Sequence, residues 1–273
     1  MAGEQVVPVF FLSGSTGISA ETMGNVLLIQ FPDQHFERRL FPFITTVKEA
    51  ERVVAILDAA MAGPVTPLAF STAAVEEIRE VLLTTRCPII DFFGLHMQRV
   101  EEALGVRGMR VAARPHGMGD LQRYNNRMSA IEFAMEHDDG QSLRALDKAE
   151  VILVAPSRCG KTPTTIYLAL QHGIFVANYP LVDEDFESID LPRPLRQLRD
   201  RCFGILTTPQ RLSQVRAERR AASRYASLEQ CTYELRRAAA MFRLHQVPTI
   251  DSTTSSVEEM ATVILQRIKQ PKN

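Results

Sequence analysis

Cysteine is scarce in this chain of 273 residues, which has four cysteines far apart in the sequence. No CxxC pair is present and no histidines cluster at ligand spacing, which argues against a zinc site and against a disulfide-rich secreted scaffold. The sequence therefore favours a protein of the reducing cytoplasm. Because 45% of the residues are hydrophobic, the chain can build a substantial core without cross-links.

An excess of charge of one sign is also absent. The 31 lysines and arginines against 32 aspartates and glutamates leave a net charge of −1, so no overall basic field predicts binding to nucleic acid or to an anionic membrane. The apolar run at residues 6–12 is too short for a membrane span. A signal peptide would require a basic residue before this run, and no lysine or arginine precedes Arg38. The run predicts a first β-strand instead.

Short apolar segments alternate with segments of helical periodicity, which predicts an α/β fold with mainly parallel sheets. Strands are expected at residues 7–12, 67–70, 88–93, 151–154, 175–177, 203–206 and 248–250. Helices are expected at residues 20–30, 72–84, 128–136, 162–171 and through 213–243, and after two capping boxes, Thr46 with Glu49 and Ser256 with Glu259. Residues 107–127 predict a long surface loop, either functional or a plain linker, and residues 138–140 predict a turn. We expect two domains, residues 1–145 and 146–273.

The strongest motif is an apolar strand at residues 151–154 followed by a loop and a helical segment. The loop consists of Ala155, Pro156, Ser157, Arg158, Cys159, Gly160, Lys161 and Thr162. This order predicts a P-loop, in which Gly160 turns backbone N–H groups toward phosphate and the helix start adds partial positive charge. Lys161 would reach a terminal phosphoryl group, Thr162 would bind Mg²⁺, and Arg158 would offset charge on a transferred phosphoryl group. Ala155 occupies the position where the common P-loop motif has glycine, which reaches positive φ more easily. The alternative to a P-loop is a coincidental Gly-Lys-Thr at a strand-to-helix turn.

Further candidate residues are less specific. Asp91 and Asp251 each end an apolar strand, where a second metal-binding carboxylate often lies, although a structural role is more frequent. His116, in the loop of residues 107–127, is a candidate acid or base, although a lone loop histidine is more often merely exposed. Cys159 is interpreted as a small neighbour of the phosphates rather than a nucleophile.

A group of arginines at helical spacing follows the third predicted strand of the second half, namely Arg216, Arg219, Arg220 and Arg224. Guanidinium groups pair with phosphate through two hydrogen bonds, so this basic stripe could close over a nucleotide or hold a phosphorylated partner. The alternative, which composition favours, is a solvated helix face.

Several segments carry a resemblance that covers nearly the whole chain. They are residues 11–22, 30–32, 137–140, 157–164, 167–169, 177–180, 223–228 and 256–261. In these segments the chain resembles the bifunctional regulatory proteins of phosphoenolpyruvate synthetase and of pyruvate, phosphate dikinase, and residues 159–162 and 223–228 look more like the synthetase branch. The chain departs from the family pattern at Ala155, where the family has glycine, and at Gly14, where it has aspartate.

The resemblance implies a protein kinase that uses ADP to phosphorylate a threonine of phosphoenolpyruvate synthetase. It also implies a phosphorylase that removes this group by attack of inorganic phosphate and releases pyrophosphate. The ADP-binding loop of the family falls on residues 155–162, which leaves residues 1–145 for regulation, pairing or target recognition. Pyruvate, phosphate dikinase as the target, a small-molecule P-loop kinase and a nucleotide-sensing module without turnover are the alternatives. The acid/base residue, the second metal ligand, the role of residues 13–17 and the oligomeric state, including a homodimer, stay open.

Overall fold

The computed structural model describes residues 5–111, 121–140, 142, 144–220 and 223–269. The chain divides into two compact units, Met1–Gly117 and Met118–Asn273. Each unit contains one four-stranded sheet in which all neighbouring strands are parallel, so the predicted α/β class is confirmed. Within the described ranges, no helix is both long and apolar enough to cross a membrane.

The N-terminal unit has the strand order β2-β1-β3-β4. Its strands are β1 (Val6–Leu12), β2 (His35–Phe41), β3 (Leu68–Ser71) and β4 (Ile89–Asp91), and its helices are α1 (Ile18–Leu28), α2 (Val47–Ala60), α3 (Glu76–Leu82) and α4 (Gly94–Leu104). Strand β1 is central and its residues 9–12 are at most 1% exposed, as expected for a parallel strand covered on both faces. The predicted capping box at the start of α2 is confirmed, since Glu49 N donates to Thr46 Oγ1 at 3.2 Å and Thr46 N donates to Glu49 Oε2 at 3.0 Å.

The C-terminal unit has the corresponding strand order β6-β5-β7-β8. Its strands are β5 (Val151–Pro156), β6 (Val176–Leu181), β7 (Cys202–Leu206) and β8 (Thr249–Asp251), and its helices are α5 (Leu121–Glu136), α6 (Lys161–His172), α7 (Pro209–Arg219), α8 (Leu228–Leu244) and α9 (Val257–Lys269). The chain leaves β5 toward β6 on one side and then crosses to β7 on the other. The loops after β5 and β7 therefore diverge at the carboxyl edge of the sheet, which is where open parallel sheets bind ligands.

Three parts of the structure differ from the sequence prediction. Strand β2 has no predicted counterpart, because it is an edge strand whose residues are mostly exposed and polar. Helix α4 is also additional. The loop predicted at residues 107–127 is wrong from Leu121 onward, where α5 begins. Because α5 packs against α6, the division between the units lies at residues 117/118 rather than at the predicted 145/146.

Candidate active site

The loop between β5 and α6 lies at the carboxyl edge of the second sheet. Gly160 has φ of 95°, a left-handed conformation that glycine adopts without strain, and it precedes the first residue of α6. Arg158 also has a positive φ, 74°, which costs an L-residue about 1 kcal/mol. Ala155 lies within β5, where it pairs with Pro180 in extended backbone. The alanine therefore carries no backbone penalty at the position where the common motif has glycine.

The start of α6 is suited to an anion. Gly160 is the N-cap of this helix and offers no side-chain hydrogen bond to the first N–H groups. Uncapped N–H groups and the positive end of the helix dipole together attract phosphate or carboxylate.

Lys161 is the first residue of α6, and its side chain turns into the protein, with 4% of the residue exposed. Its Nζ donates to the carbonyl oxygen of Pro156 at 3.1 Å. Burial lowers the pKa of the ammonium group, an effect that the thiol of Cys159 and the carboxylates of Asp138 and Asp139 only partly counter. A buried cation with a neutral carbonyl partner would be stabilised by an anion bound in the same loop.

Three side chains from different elements, including that of Thr162, meet at the start of α6. Thr162 Oγ1 donates to Asp138 Oδ1 at 2.9 Å, and Asn178 Nδ2 contacts the same carboxylate and lies 3.2 Å from Thr162 Oγ1. Asp138 belongs to a 3₁₀ turn after α5, and Asn178 belongs to β6 next to β5. We call these three residues the Asp138 cluster.

His137 holds the turn that carries Asp138. Its ring stacks on Phe133 at 3.9 Å between centroids, and its two ring nitrogens lie 2.8 Å from the carbonyl oxygen of Phe133 and 2.7 Å from that of Arg144. The carbonyl oxygen of His137 accepts a hydrogen bond from the backbone N–H of Asn178 at 3.1 Å. These contacts join α5 to β6 and fix the position of the Asp138 cluster.

A buried ion pair fastens the other side of the loop. Arg216 is 0% exposed and donates to both carboxylate oxygens of Glu234, at 2.6 and 3.0 Å. The same guanidinium donates to the carbonyl oxygen of Ser157 at 3.1 Å and lies over the ring of Tyr225 at 4.2 Å. The hydroxyl of Tyr225 in turn donates to Ser157 Oγ at 3.0 Å. The loop is thus held at Ser157 by helices that lie outside the strand–loop–helix segment.

A cleft of about 180 Å³ opens next to the loop. It is lined by Arg158, Cys159 and Gly160 from the loop, by Thr207, Arg211, Leu212 and Val215 after β7, and by Ser252, Ser255 and Met260 after β8. Two arginines and several hydroxyl groups in one cleft are suited to an anionic ligand.

Comparison with known sequences identifies the family of the chain. The sequence model of the kinase/pyrophosphorylase family matches residues 9–265. The chain belongs to the kinase/pyrophosphorylase family. It is 43% identical over 262 residues to a protein of Bordetella avium (strain 197N), with 95% of each chain covered. It is 41% identical over 258 residues to one of Legionella pneumophila (strain Corby), with 94% of this chain and 95% of the relative covered. Both relatives carry the name "Putative phosphoenolpyruvate synthase regulatory protein".

The candidate carboxylates outside the β5–α6 loop each accept hydrogen bonds within their own unit. Asp91 accepts hydrogen bonds from Arg79 at 3.0 Å and from the backbone N–H of Phe93 at 2.9 Å, which is a structural role in the N-terminal unit. Asp251 accepts from Thr253 N at 2.8 Å after β8. His116 lies outside the described residues.

The basic stripe is not a single helix face. Helix α7 ends at Arg219, and Arg224 belongs to a separate 3₁₀ turn. Arg216 points inward to Glu234, whereas Arg219, Arg220 and Arg224 are exposed. Arg216 is therefore neither a phosphate-binding side chain on an open stripe nor part of a solvated helix face. It is buried and supports the loop.

Sequence reasoning missed the Asp138 cluster and the partners of Arg216. The sequence around Asp138 indicates only a turn, although residues 137–140 and 177–180 are both segments that carry the family resemblance. Burial raises the pKa of the Cys159 thiol to about 12, which keeps the thiol protonated at neutral pH.

Proposed function

We propose that this chain is a bifunctional serine/threonine protein kinase and phosphorylase that regulates phosphoenolpyruvate synthetase. It would phosphorylate a threonine of that enzyme with ADP and remove the phosphoryl group with inorganic phosphate. Family membership and the names of the relatives support the activity and the target. The observation that carries the proposal is the buried ammonium group of Lys161 beside an uncapped helix start, because it favours a bound phosphate group.

Both reactions are phosphoryl transfers that balance without a further reagent. In the kinase direction the threonine hydroxyl oxygen attacks the β-phosphorus of ADP, the bond between this phosphorus and the bridging oxygen breaks, and AMP leaves while the hydroxyl loses its proton. In the phosphorylase direction a phosphate oxygen attacks the phosphorus of phosphothreonine, the bond from that phosphorus to the threonine oxygen breaks, the threonine oxygen takes up a proton, and the pyrophosphate that forms is released. Such reactions depend mainly on positioning and on stabilisation of charge.

The residues of the β5–α6 loop take distinct roles in this proposal. The backbone of residues 155–162 would surround the β-phosphate as a P-loop, and Lys161 would donate hydrogen bonds to its oxygens. Arg158, which lines the cleft and is exposed, would approach the transferred group. Thr162 would hold Mg²⁺, which when bound supplies positive charge to offset that of the phosphate oxygens.

We further propose that one loop serves both directions. The kinase must hold the β-phosphate of ADP, and the phosphorylase must hold phosphate or pyrophosphate, so the same N–H groups and the same lysine suit both. Lys161→Ala would then reduce both reactions. Loss of the kinase reaction alone, with phosphate-dependent dephosphorylation at the full rate, would contradict the shared loop.

The remaining assignments follow from this proposal. The unit that contains the β5–α6 loop would carry the chemistry, and the N-terminal unit would serve target recognition, pairing or regulation. Action in the cytoplasm agrees with the four cysteines, all of which are buried and unpaired with one another.

The test uses purified full-length protein, phosphoenolpyruvate synthetase and ADP labelled at the β-phosphate. We expect label on a synthetase threonine, followed by labelled pyrophosphate when phosphate is added. The exposed residue Lys148 provides a matched control, because Lys148→Ala removes a lysine from the same unit but not from the loop. Label transfer to pyruvate, phosphate dikinase alone would change the target, transfer from ATP to a small molecule alone would indicate a metabolite kinase, and ADP binding without transfer would indicate a sensor.

A further inference from the structure

The Asp138 cluster brings together three groups that carry oxygen. Thr162 Oγ1 and Asn178 Nδ2 both lie at hydrogen-bond distance from Asp138 Oδ1. Asn178 is 2% exposed, and its Oδ1 has no hydrogen-bond partner among the described residues. Leaving such a buried oxygen unsatisfied costs about 1–3 kcal/mol, so a ligand that engages it is expected.

A divalent cation would bind Asp138 Oδ1 and Thr162 Oγ1 directly and would bind Asn178 Oδ1 once the amide has turned, because Asn178 now presents Nδ2 to both partners. Mg²⁺ and Mn²⁺ prefer oxygen ligands, and the set contains a carboxylate, a hydroxyl and an amide but neither histidine nor cysteine. Because the two ends of an amide exchange on a half-turn about its terminal bond, Oδ1 of Asn178 can take the place that Nδ2 occupies beside Asp138. The donor set therefore fits a hard cation and does not favour zinc.

We propose that Asp138, Thr162 and Asn178 form the divalent-cation site of this protein, with Asp138 as its carboxylate ligand. The proposal deepens the proposed function, because it rests on the β5–α6 loop as the site of the diphosphate. It assigns the second metal ligand to the turn after α5 rather than to the carboxylates that end β4 or β8. Those two carboxylates accept hydrogen bonds from their own turns.

Position in the fold supports this assignment. Strand β6 pairs with β5, and Asn178 is in register with Leu153, so its side chain belongs to the strand next to the loop. The backbone bond from Asn178 N to His137 O ties the turn of Asp138 to that strand. The three ligands are thus held by α6, β6 and the turn together, beside Lys161, where the charge of a bound diphosphate would lie.

The test measures Mn²⁺ binding to the full-length protein by electron paramagnetic resonance, with and without ADP, and does not depend on turnover. We expect Asp138→Asn to weaken Mn²⁺ binding at least about 10-fold, in line with the effect of losing a group that holds a metal. Asp139→Asn is the matched control. It removes the same charge from the same turn, at an exposed position with φ of 49° that asparagine tolerates, and should change Mn²⁺ affinity less than about 3-fold.

A second variant guards against a loss that merely reflects misfolding. Asn178→Asp adds a carboxylate to the cluster, so we expect tighter Mn²⁺ binding and a melting temperature that falls without metal and recovers with it. A purely structural role for Asn178 predicts the same fall in melting temperature but no recovery with Mn²⁺.

The two proposals fail in distinguishable ways. The cation site is overturned if Asp138→Asn leaves the Mn²⁺ affinity unchanged, or if Asp139→Asn loses as much affinity as Asp138→Asn. In that case, ADP binding in the presence of EDTA would still support the nucleotide loop. Absence of ADP binding by the unmodified protein, with or without Mn²⁺, overturns the proposed function itself.

Discussion

The buried ion pair between Arg216 and Glu234 permits a quantitative prediction. We consider Glu234→Ala, which removes the carboxylate and leaves the guanidinium of Arg216 in a site where arginine is 0% and glutamate 5% exposed. Arg216 loses hydrogen bonds of 2.6 and 3.0 Å and keeps those to the carbonyl oxygens of Ser157 and Tyr225. The variant therefore contains an uncompensated buried charge beneath the β5–α6 loop.

Removal of one partner of a buried pair destabilises a protein by about 3–5 kcal/mol. A loss of this size lowers the melting temperature of a unit of this length by roughly 6–20 °C, at about 2–4 °C per kcal/mol. The double variant Arg216→Met/Glu234→Leu removes both charges and replaces them with apolar groups of similar size. We expect it to recover most of the lost stability, since replacing a whole buried pair is often close to neutral.

The assay is calorimetry of the C-terminal unit's transition in the full-length protein, together with ADP titration of each folded variant. The double variant should fold and yet bind ADP more weakly, because Ser157 loses the hydrogen bond that Arg216 donates to its carbonyl oxygen. A destabilisation below about 1 kcal/mol in Glu234→Ala would refute the argument, because it would show that the charge is not buried as described. So would a double variant as unstable as the single one.

Three further predictions concern the loop. Lys161→Met should weaken ADP binding by about 10- to 150-fold, the equivalent of a charged hydrogen bond of about 1.5–3 kcal/mol, whereas calorimetric titration of Lys148→Met should show no change. Gly160→Ala should lose about 1–2 kcal/mol of stability, because its φ of 95° is unfavourable for alanine, and it should also bind ADP more weakly. The control is Gly105→Ala, at φ of 67° with open space around it, which should lose stability without any change in ADP binding. Weaker ADP binding by Gly105→Ala would contradict the argument. Folding lowers the pKa of Lys161 from 10.5, so between the lowered value and pH 10.5 the unfolded chain binds more protons than the folded one. The stability of the unmodified protein relative to Lys161→Met should therefore rise with pH in that window. Titrations in buffers of different ionisation enthalpy should show proton uptake on ADP binding at alkaline pH, and its absence would refute a lowered pKa.

Most of the regular structure could be predicted from local pattern. The buried central strands β1 and β5 are nearly continuous apolar runs, and the capping boxes before α2 and α9 are both present, the latter with Glu259 N donating to Ser256 Oγ at 3.2 Å. Strand β2 could not be predicted in this way, because an exposed edge strand receives its hydrogen bonds from β1 rather than from a hydrophobic pattern of its own.

The candidate site was predictable only in part. The loop of residues 155–162 is one contiguous motif whose glycine, lysine and threonine have roles set by backbone geometry. Asp138 and Asn178 are separated from Thr162 by 24 and 16 residues and carry no signal of their own beyond a turn and a strand end. Arg216 belongs to a group of arginines at helical spacing whose other members are exposed, and only its burial distinguishes it from them.

The sequence by itself determined the alternation of strands and helices, the helix starts and the strand–loop–helix motif, because hydrophobic period, capping side chains and glycine conformation act over a few neighbouring residues. Tertiary structure decided which residues surround that motif. Pairing of β6 with β5 brings Asn178 beside Thr162, packing of α5 on α6 adds Asp138, and packing of α7 against α8 buries Arg216 on Glu234. These contacts depend on strand order and helix packing across the whole unit, which no local pattern encodes.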